Sequence, residues 1–341
     1  MTPKETQTPI PLVRVASFRR YASHLESIGV PIGRLLACSG IPVELLSHPA
    51  AAVPLKSAFR FGELACRAVG TEHLGLHVGL ASRLDDLGPY GEMLQRSVTL
   101  YDYLRKGISL YNLVITGQSL WLSEHGDELR LNIVTSGGGG IAAYQSQMET
   151  LVVTLAKLRD AAGPHWSPRE ISLAYKSREA LPDIDLFAGS RVLRGTGTTY
   201  FTIPRELLGL RFSRVGGVVS SKRHPASFAD RPLPQDLPGL VQLQIESLVR
   251  GRAVQVDTVA ETLSMSRRSL QRSLAEKGLS FSRLLNEVRV HRAADWLENT
   301  DKPIGEIALD LGYTDASNFT RAFRRQTGVS PQRFRNNARQ K

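Results

Sequence analysis

From residue 240 onward, apolar positions recur at three and four, the spacing that gathers one face of an α-helix. Leu240, Leu243, Ile245 and Leu248 predict a first helix, ending at Gly251. Val256, Val259, Ala260 and Leu263 predict a short second one. Ser266 stands where an N-cap belongs, before a third helix that turns Leu270 and Leu274 inward and stops at Gly278. Phe281, Leu284, Leu285, Val288, Ala294 and Leu297 predict the longest helix, roughly 17 residues and ~26 Å. Pro303 reads as opening a fifth helix within its first turn, where a missing N–H is harmless. Asp315 to Gln326 gives a sixth, and Pro331 opens a short seventh.

Upstream the pattern is mixed. Residues 17–28, 57–69, 91–115 and 141–162 read as helices. Residues 119–134 alternate apolar and polar on both sides of His125-Gly126-Asp127, a hairpin signature. Residues 170–177 and 198–204 read as further strands. Between the two regions, residues 224–239 hold four prolines and little helical pattern, so they read as a linker. The expected organisation is an α+β domain over 1–223, a linker over 224–239 and an all-α domain over 240–341. Strand order is not legible from the pattern.

One segment of the helical region echoes another. Ala260, Leu263 and Met265 match Ala308, Leu311 and Tyr313 at an offset of 48. Leu270, Arg272 and Leu274 match Phe319, Arg321 and Phe323 at 49, and Gly278 matches Gly328 at 50. In each copy a small residue lets two helices cross closely. A turn residue, Ser264 or Gly312, permits an abrupt change of direction, and Leu270 or Phe319 plugs the crossing. That is the grammar of a helix-turn-helix, here in two subdomains joined by a long helix. With Leu270 and Leu274 inward, the opposite face carries Arg268, Gln271 and Arg272. With Phe319 and Phe323 inward, Ser317, Asn318, Arg321 and Arg325 lie nearer the outside. Arginine reads guanine bidentately and amides read adenine, so this mixture suits base readout better than charge alone.

Charge agrees with a polyanionic partner. The 341 residues carry a formal net charge of +11, and the basic excess is denser after residue 231. Residues 314–341 hold seven basic residues and one acid, Asp315. Two cysteines, Cys38 and Cys66, form no C-x-x-C pair and read as free buried thiols. No apolar run approaches ~18 residues, and the N-terminus lacks a basic, then apolar, leader pattern. A cytoplasmic protein that spans no membrane is expected.

The segment from Phe281 to Arg335 is similar to the signature of the AraC/XylS family of bacterial transcription regulators. Ile304, Ala308, Gly312-Tyr313, Phe319, Phe323, Gly328 and Ser330-Pro331 all fall where that signature expects them. The resemblance implies that Arg268, Gln271 and Arg272 occupy base-contacting positions of a first recognition helix. It implies the same for Ser317, Asn318 and Arg321 on a second. Ser264 departs from the glycine frequent at the first turn. Residues 20–215 resemble, less specifically, the arabinose-binding-type N-terminal domain of regulators similar to the ornithine-utilisation regulator. This implies effector sensing and dimerisation without naming the effector or its residues.

Other chemistry finds little support. Gly137 to Gly140 lacks the lysine and spacing of a phosphate cradle and reads as a loop or cavity lid. His73 and His77 stand four apart, but no Glu or Cys completes a metal set, and Gly75 and Gly79 read as weakening any helix there. Tyr101, Tyr103, Tyr111 and Trp121 are core residues or pocket lining. No catalytic set, cofactor or metal is expected. The expected protein is a sequence-specific, effector-responsive transcription regulator, not an enzyme. Its expected partners are double-stranded DNA, a small-molecule effector and a second copy of the chain, with RNA polymerase a further candidate. The alternative is a non-specific architectural DNA-binding protein.

Overall fold

The computed structural model describes residues 10–136, 140–211, 232–249, 254–263 and 265–339. Two compact units emerge, Pro11–Leu233 and Pro234–Lys341. Residues 224–231 of the expected linker, Gly137 to Gly139, Gly251 and Ser264 lie outside the described residues.

The first unit runs β1 (Leu12–Arg14), α1 (Val15–Ser27), α2 (Ile32–Cys38), β2 (Ala52–Pro54), α3 (Leu55–Val69) and α4 (Leu74–Ala81). It continues with α5 (Pro89–Gln95), α6 (Leu100–Leu110), β3 (Gln118–His125), β4 (Glu128–Thr135) and α7 (Ile141–Ala162). It closes with β5 (Glu170–Leu173), β6 (Arg191–Arg194) and β7 (Thr199–Pro204). A five-stranded sheet has the order β3-β4-β7-β5-β6, antiparallel except for β5 with β6. Alternation decides its buried face: Leu131, Phe201 and Ile171 lie side by side across three strands, each 2 % exposed or less. The turn between β3 and β4 is only Gly126-Asp127, and Gly126 takes φ 61°, which glycine adopts without strain.

The helix expected over 91–115 is two helices, because Thr99 interrupts the run and caps α6 by accepting from the Asp102 N–H at 3.2 Å. The strand expected over 170–177 ends at Leu173. Cys38 is exposed at the end of α2, while Cys66 is buried and its thiol is pushed up to about 12 by burial.

Gly75 and Gly79, expected to weaken a helix, both lie inside α4. Their role is close approach to α7. A Cβ on Gly75 would sit 2.1 Å from the Gln145 carbonyl oxygen, and one on Gly79 2.9 Å from Val152 Cβ. His73 precedes this helix, buried, with Nδ1 2.9 Å from the Tyr144 hydroxyl; His77 is exposed.

The second unit is all helical: α8 (Leu237–Leu248), α9 (Val256–Thr262), α10 (Arg267–Ala275), α11 (Phe281–Asn299), α12 (Ile304–Asp310), α13 (Ala316–Thr327) and α14 (Pro331–Arg339). Asp236 caps α8, so residues 237–239 of the expected linker already form its first turn. Pro303 is the N-cap of α12 rather than its first helical residue, with ψ 139°. Leu270, Leu274, Phe319 and Phe323 are fully buried. Phe323 sits between Phe319 and Phe334, with ring centroids 5.6 and 5.4 Å away. Burial of these rings is the main force holding α13 and α14 together.

Candidate nucleic-acid interface

The two copies repeat in their hydrogen bonds. The Met265 N–H donates to the Ala260 carbonyl at 2.9 Å, and the Tyr313 N–H to the Ala308 carbonyl at 3.0 Å. Ala260 and Ala308 are buried at the crossings. Ser266 caps α10, accepting from the Ser269 N–H at 3.1 Å. Asp315 caps α13, accepting from the Asn318 N–H at 2.7 Å. That bond holds the Asp315 carboxyl below its usual range, favouring the charged form at the positive end of the helix. Gly278 and Gly328 end the copies at φ 70° and 80°.

Burial of Leu270 and Leu274, and of Phe319 and Phe323, fixes which face of each helix points outward. Arg268, Gln271 and Arg272 of α10 are exposed, as are Ser317, Arg321 and Arg325 of α13. Arg324 is exposed as well. Asn318 is half-buried and already engaged: its amide nitrogen donates to Thr314 and Asp315, and its oxygen accepts from Arg321 Nη2 at 2.7 Å. Arg321 is thus held by Asn318 in the free protein. Arg272 lies 3.7 Å from Glu276, but both are well exposed, so the pair exerts a weak hold.

Other basic residues are committed to the fold, which the sequence pattern did not reveal. Arg289 of α11 donates to the Gly312 carbonyl at 3.2 Å and stacks 4.8 Å from the Tyr313 ring centroid. Burial lowers its pKa and raises that of Tyr313. Arg292 donates to the Val249 carbonyl at 3.0 Å, near the end of α8. Arg335 is buried and donates to the Lys302 carbonyl. These three arginines hold turns and helix ends, whereas those on α10 and α13 face outward.

The first unit holds a cavity of about 120 Å³. Tyr103 and Tyr111 line it; Tyr101 and Trp121 are exposed and do not. Its walls are mostly aromatic and aliphatic, with one ion pair, Arg20 Nη2 to Glu149 Oε1 at 2.6 Å.

Paired helix-turn-helix copies on a central helix, in a chain that also carries an α+β unit, define a helix-turn-helix regulator. The family described as "Arabinose-binding domain of AraC transcription regulator, N-term" matches residues 29–212, and a "Helix-turn-helix domain" matches 259–337. The chain belongs to the AraC family of transcription regulators. It is 31 % identical over 165 residues to the ornithine utilization regulator of Pseudomonas aeruginosa, a match spanning 40 % of this chain and 49 % of that one. It is 26 % identical over 331 residues to an uncharacterized HTH-type transcriptional regulator of Mycobacterium bovis, covering 90 % and 91 % of the two chains. The crystal structure of the transcriptional regulator CdpR from Pseudomonas aeruginosa aligns over 94 % of this chain and 98 % of its own, at 21 % identity and TM-score 0.43. Among the described residues, no helix is long and apolar enough to cross a membrane.

Proposed function

We propose that this chain reads a specific DNA sequence by placing α10 and α13 in successive major-groove segments, and that a small effector controls this binding. The observation that carries the reading is the pair of outward faces. Arg268, Gln271 and Arg272 on one helix, and Ser317, Asn318, Arg321 and Arg325 on the other, stand opposite buried Leu270/Leu274 and Phe319/Phe323. The 19 residues of α11 span ~28 Å, and flanking packing extends this toward the ~34 Å between groove segments on one face of B-DNA. Arg contacts to phosphate supply affinity, and the amides and bidentate arginines supply specificity.

Residues 1–223 act as the sensing and pairing domain, 224–239 as linker and 240–341 as the DNA-binding domain. The chain works in the cytoplasm as a homodimer, contacts RNA polymerase at its promoters and does no catalysis. Pairing sets four reading helices on a repeated or inverted site and raises avidity without new contact chemistry. The effector must bind one domain arrangement better than the other, since equal affinity shifts nothing.

The test is selection of a preferred duplex from a random pool, followed by competition with unrelated duplex. A regulator discriminates by ~10³-fold or more at physiological salt. Discrimination of only a few-fold, with a steep salt slope, identifies a non-specific architectural protein instead.

A further inference from the structure

We infer that the cavity of the first unit is the effector site, and that it takes an uncharged, largely apolar molecule about the size of one six-membered ring, bearing a single carbonyl oxygen. This deepens the effector-responsive reading and rests on it for its regulatory consequence, though not for binding itself.

Size comes first. At about 120 Å³ the cavity is on the scale of the ~150 Å³ cavities that hold benzene. Phe18, Phe59, Phe61, Leu94 and Leu104 supply an apolar wall. Such a wall rewards burial of hydrocarbon and is a poor host for water.

The polar atoms then fix the chemistry, because nearly all of them are already satisfied. Tyr21 donates to the Gln145 carbonyl at 3.1 Å, and Tyr90 to the Gly107 carbonyl at 3.0 Å. Tyr111 bonds Gln118 and Thr150 at 3.1 and 3.0 Å. Tyr103 bonds Thr154. Gln145 spends both ends of its amide on backbone, at Gly75 N and the Glu72 carbonyl. The hydroxyls of Ser146, Thr150 and Thr154 are likewise occupied. Three lining atoms are buried without a hydrogen-bond partner among the described residues: Ser17 Oγ, Arg20 Nη1 and Glu149 Oε1. Glu149 Oε1 is held by its ion pair with Arg20 Nη2, which leaves Ser17 Oγ and Arg20 Nη1 for a ligand. They sit one helical turn apart on α1. Both can donate, and two donors from one face of a helix match a carbonyl oxygen with its two lone pairs.

Charge excludes ions. Arg20 is ion-paired with Glu149, 2.6 Å away, against the burial that raises the Glu149 carboxyl, and apart from tyrosines these are the only titratable side chains among the lining residues. A carboxylate ligand meets Glu149, and an ammonium ligand meets Arg20, each with the added cost of desolvating an uncompensated charge. Burial raises the Tyr21, Tyr90, Tyr103 and Tyr111 hydroxyls, keeping the rest of the wall neutral.

Titration of the full chain with cyclohexanone, cyclohexanecarboxylate and cyclohexylamine, by calorimetry and thermal shift, tests this. Cyclohexanone should bind saturably and ~10-fold or more tighter than either ion. Gly62 offers a way to close the site: it lines the cavity from α3, and an added Cβ meets nothing within 4 Å. Gly62→Leu should abolish cyclohexanone binding while melting no lower than wild type. Ser17→Ala should weaken binding ~3–10-fold. Tighter binding of cyclohexanecarboxylate overturns the uncharged class. Absence of saturable cyclohexanone binding, or unchanged binding to Gly62→Leu, overturns the site. Duplex discrimination, measured on the same preparations, is unaffected by either failure and reports on the regulator reading separately.

Discussion

Two glycines on buried helices should answer the same substitution in opposite directions. Alanine in place of an interior helical glycine gains about 0.5–1 kcal/mol of helix propensity. At Gly62 in α3 the new methyl meets nothing within 4 Å, so Gly62→Ala should keep that gain. At Gly75 in α4 it would lie 2.1 Å from the Gln145 carbonyl oxygen and 2.8 Å from Gln145 Cα. Relief to ordinary contact at 3.4 Å needs a shift of about 1.3 Å between α4 and α7. The same movement strains the bond from Gly75 N–H to Gln145 Oε1, now 2.7 Å. Overpacking costs ~1–3 kcal/mol and a lost buried hydrogen bond about 1, which outweighs the propensity gain. Gly75→Ala should therefore destabilise the first unit by about 2 kcal/mol, lowering its melting temperature by about 4–8 °C. Gly62→Ala should raise it by a few degrees. Scanning calorimetry of the full-length variants reads both. If Gly75→Ala melts at or above wild type, the close approach of α4 to α7 is wrong.

Arg272→Ala and Arg321→Ala should each cost ~1–3 kcal/mol of binding to the preferred duplex and relax one base position; a uniform loss on all sequences, with a shallower salt slope, assigns them to phosphate instead. Phe323→Ala should cost ~3–5 kcal/mol in urea denaturation, since its ring is fully buried between Phe319 and Phe334; an unchanged midpoint removes it from the core. Burial holds the His73 pKa below its ordinary 6.5, so the unfolded chain takes up the proton first. Stability is then complete above about pH 6.5 and falls as pH drops toward the folded-state value; His73→Gln should flatten that slope, and identical slopes in the two proteins would refute it.

Local physics made the helical half legible. A helix shows its buried stripe in the spacing of Leu270 and Leu274, or Phe319 and Phe323, because 3.6 residues make a turn and the pattern is contained in the helix itself. The caps at Ser266 and Asp315 and the stops at Gly278 and Gly328 are equally local. So is α7, whose expected bounds, 141–162, match Ile141–Ala162. The turn at Gly126-Asp127 placed the β-hairpin for the same reason.

Partnership across long separations was not legible. The pairing of β5 between β6 and β7 depends on segments that meet only in the folded sheet. Gly75 and Gly79 looked like flaws in a helix until α7 came within contact of them. Arg289 and Arg292 add to the basic excess after residue 231, yet they serve carbonyls of Gly312 and Val249. Ser17, Arg20 and Glu149 carry no common motif; only the packing of α1 against α7 brings them to one cavity. By itself the sequence determined which helices form in the second unit and which face of each is apolar, since backbone geometry converts short-range spacing directly into faces. The tertiary structure alone decided which polar groups are consumed by the fold and which remain free to bind, because a hydrogen bond is settled by proximity in space rather than along the chain.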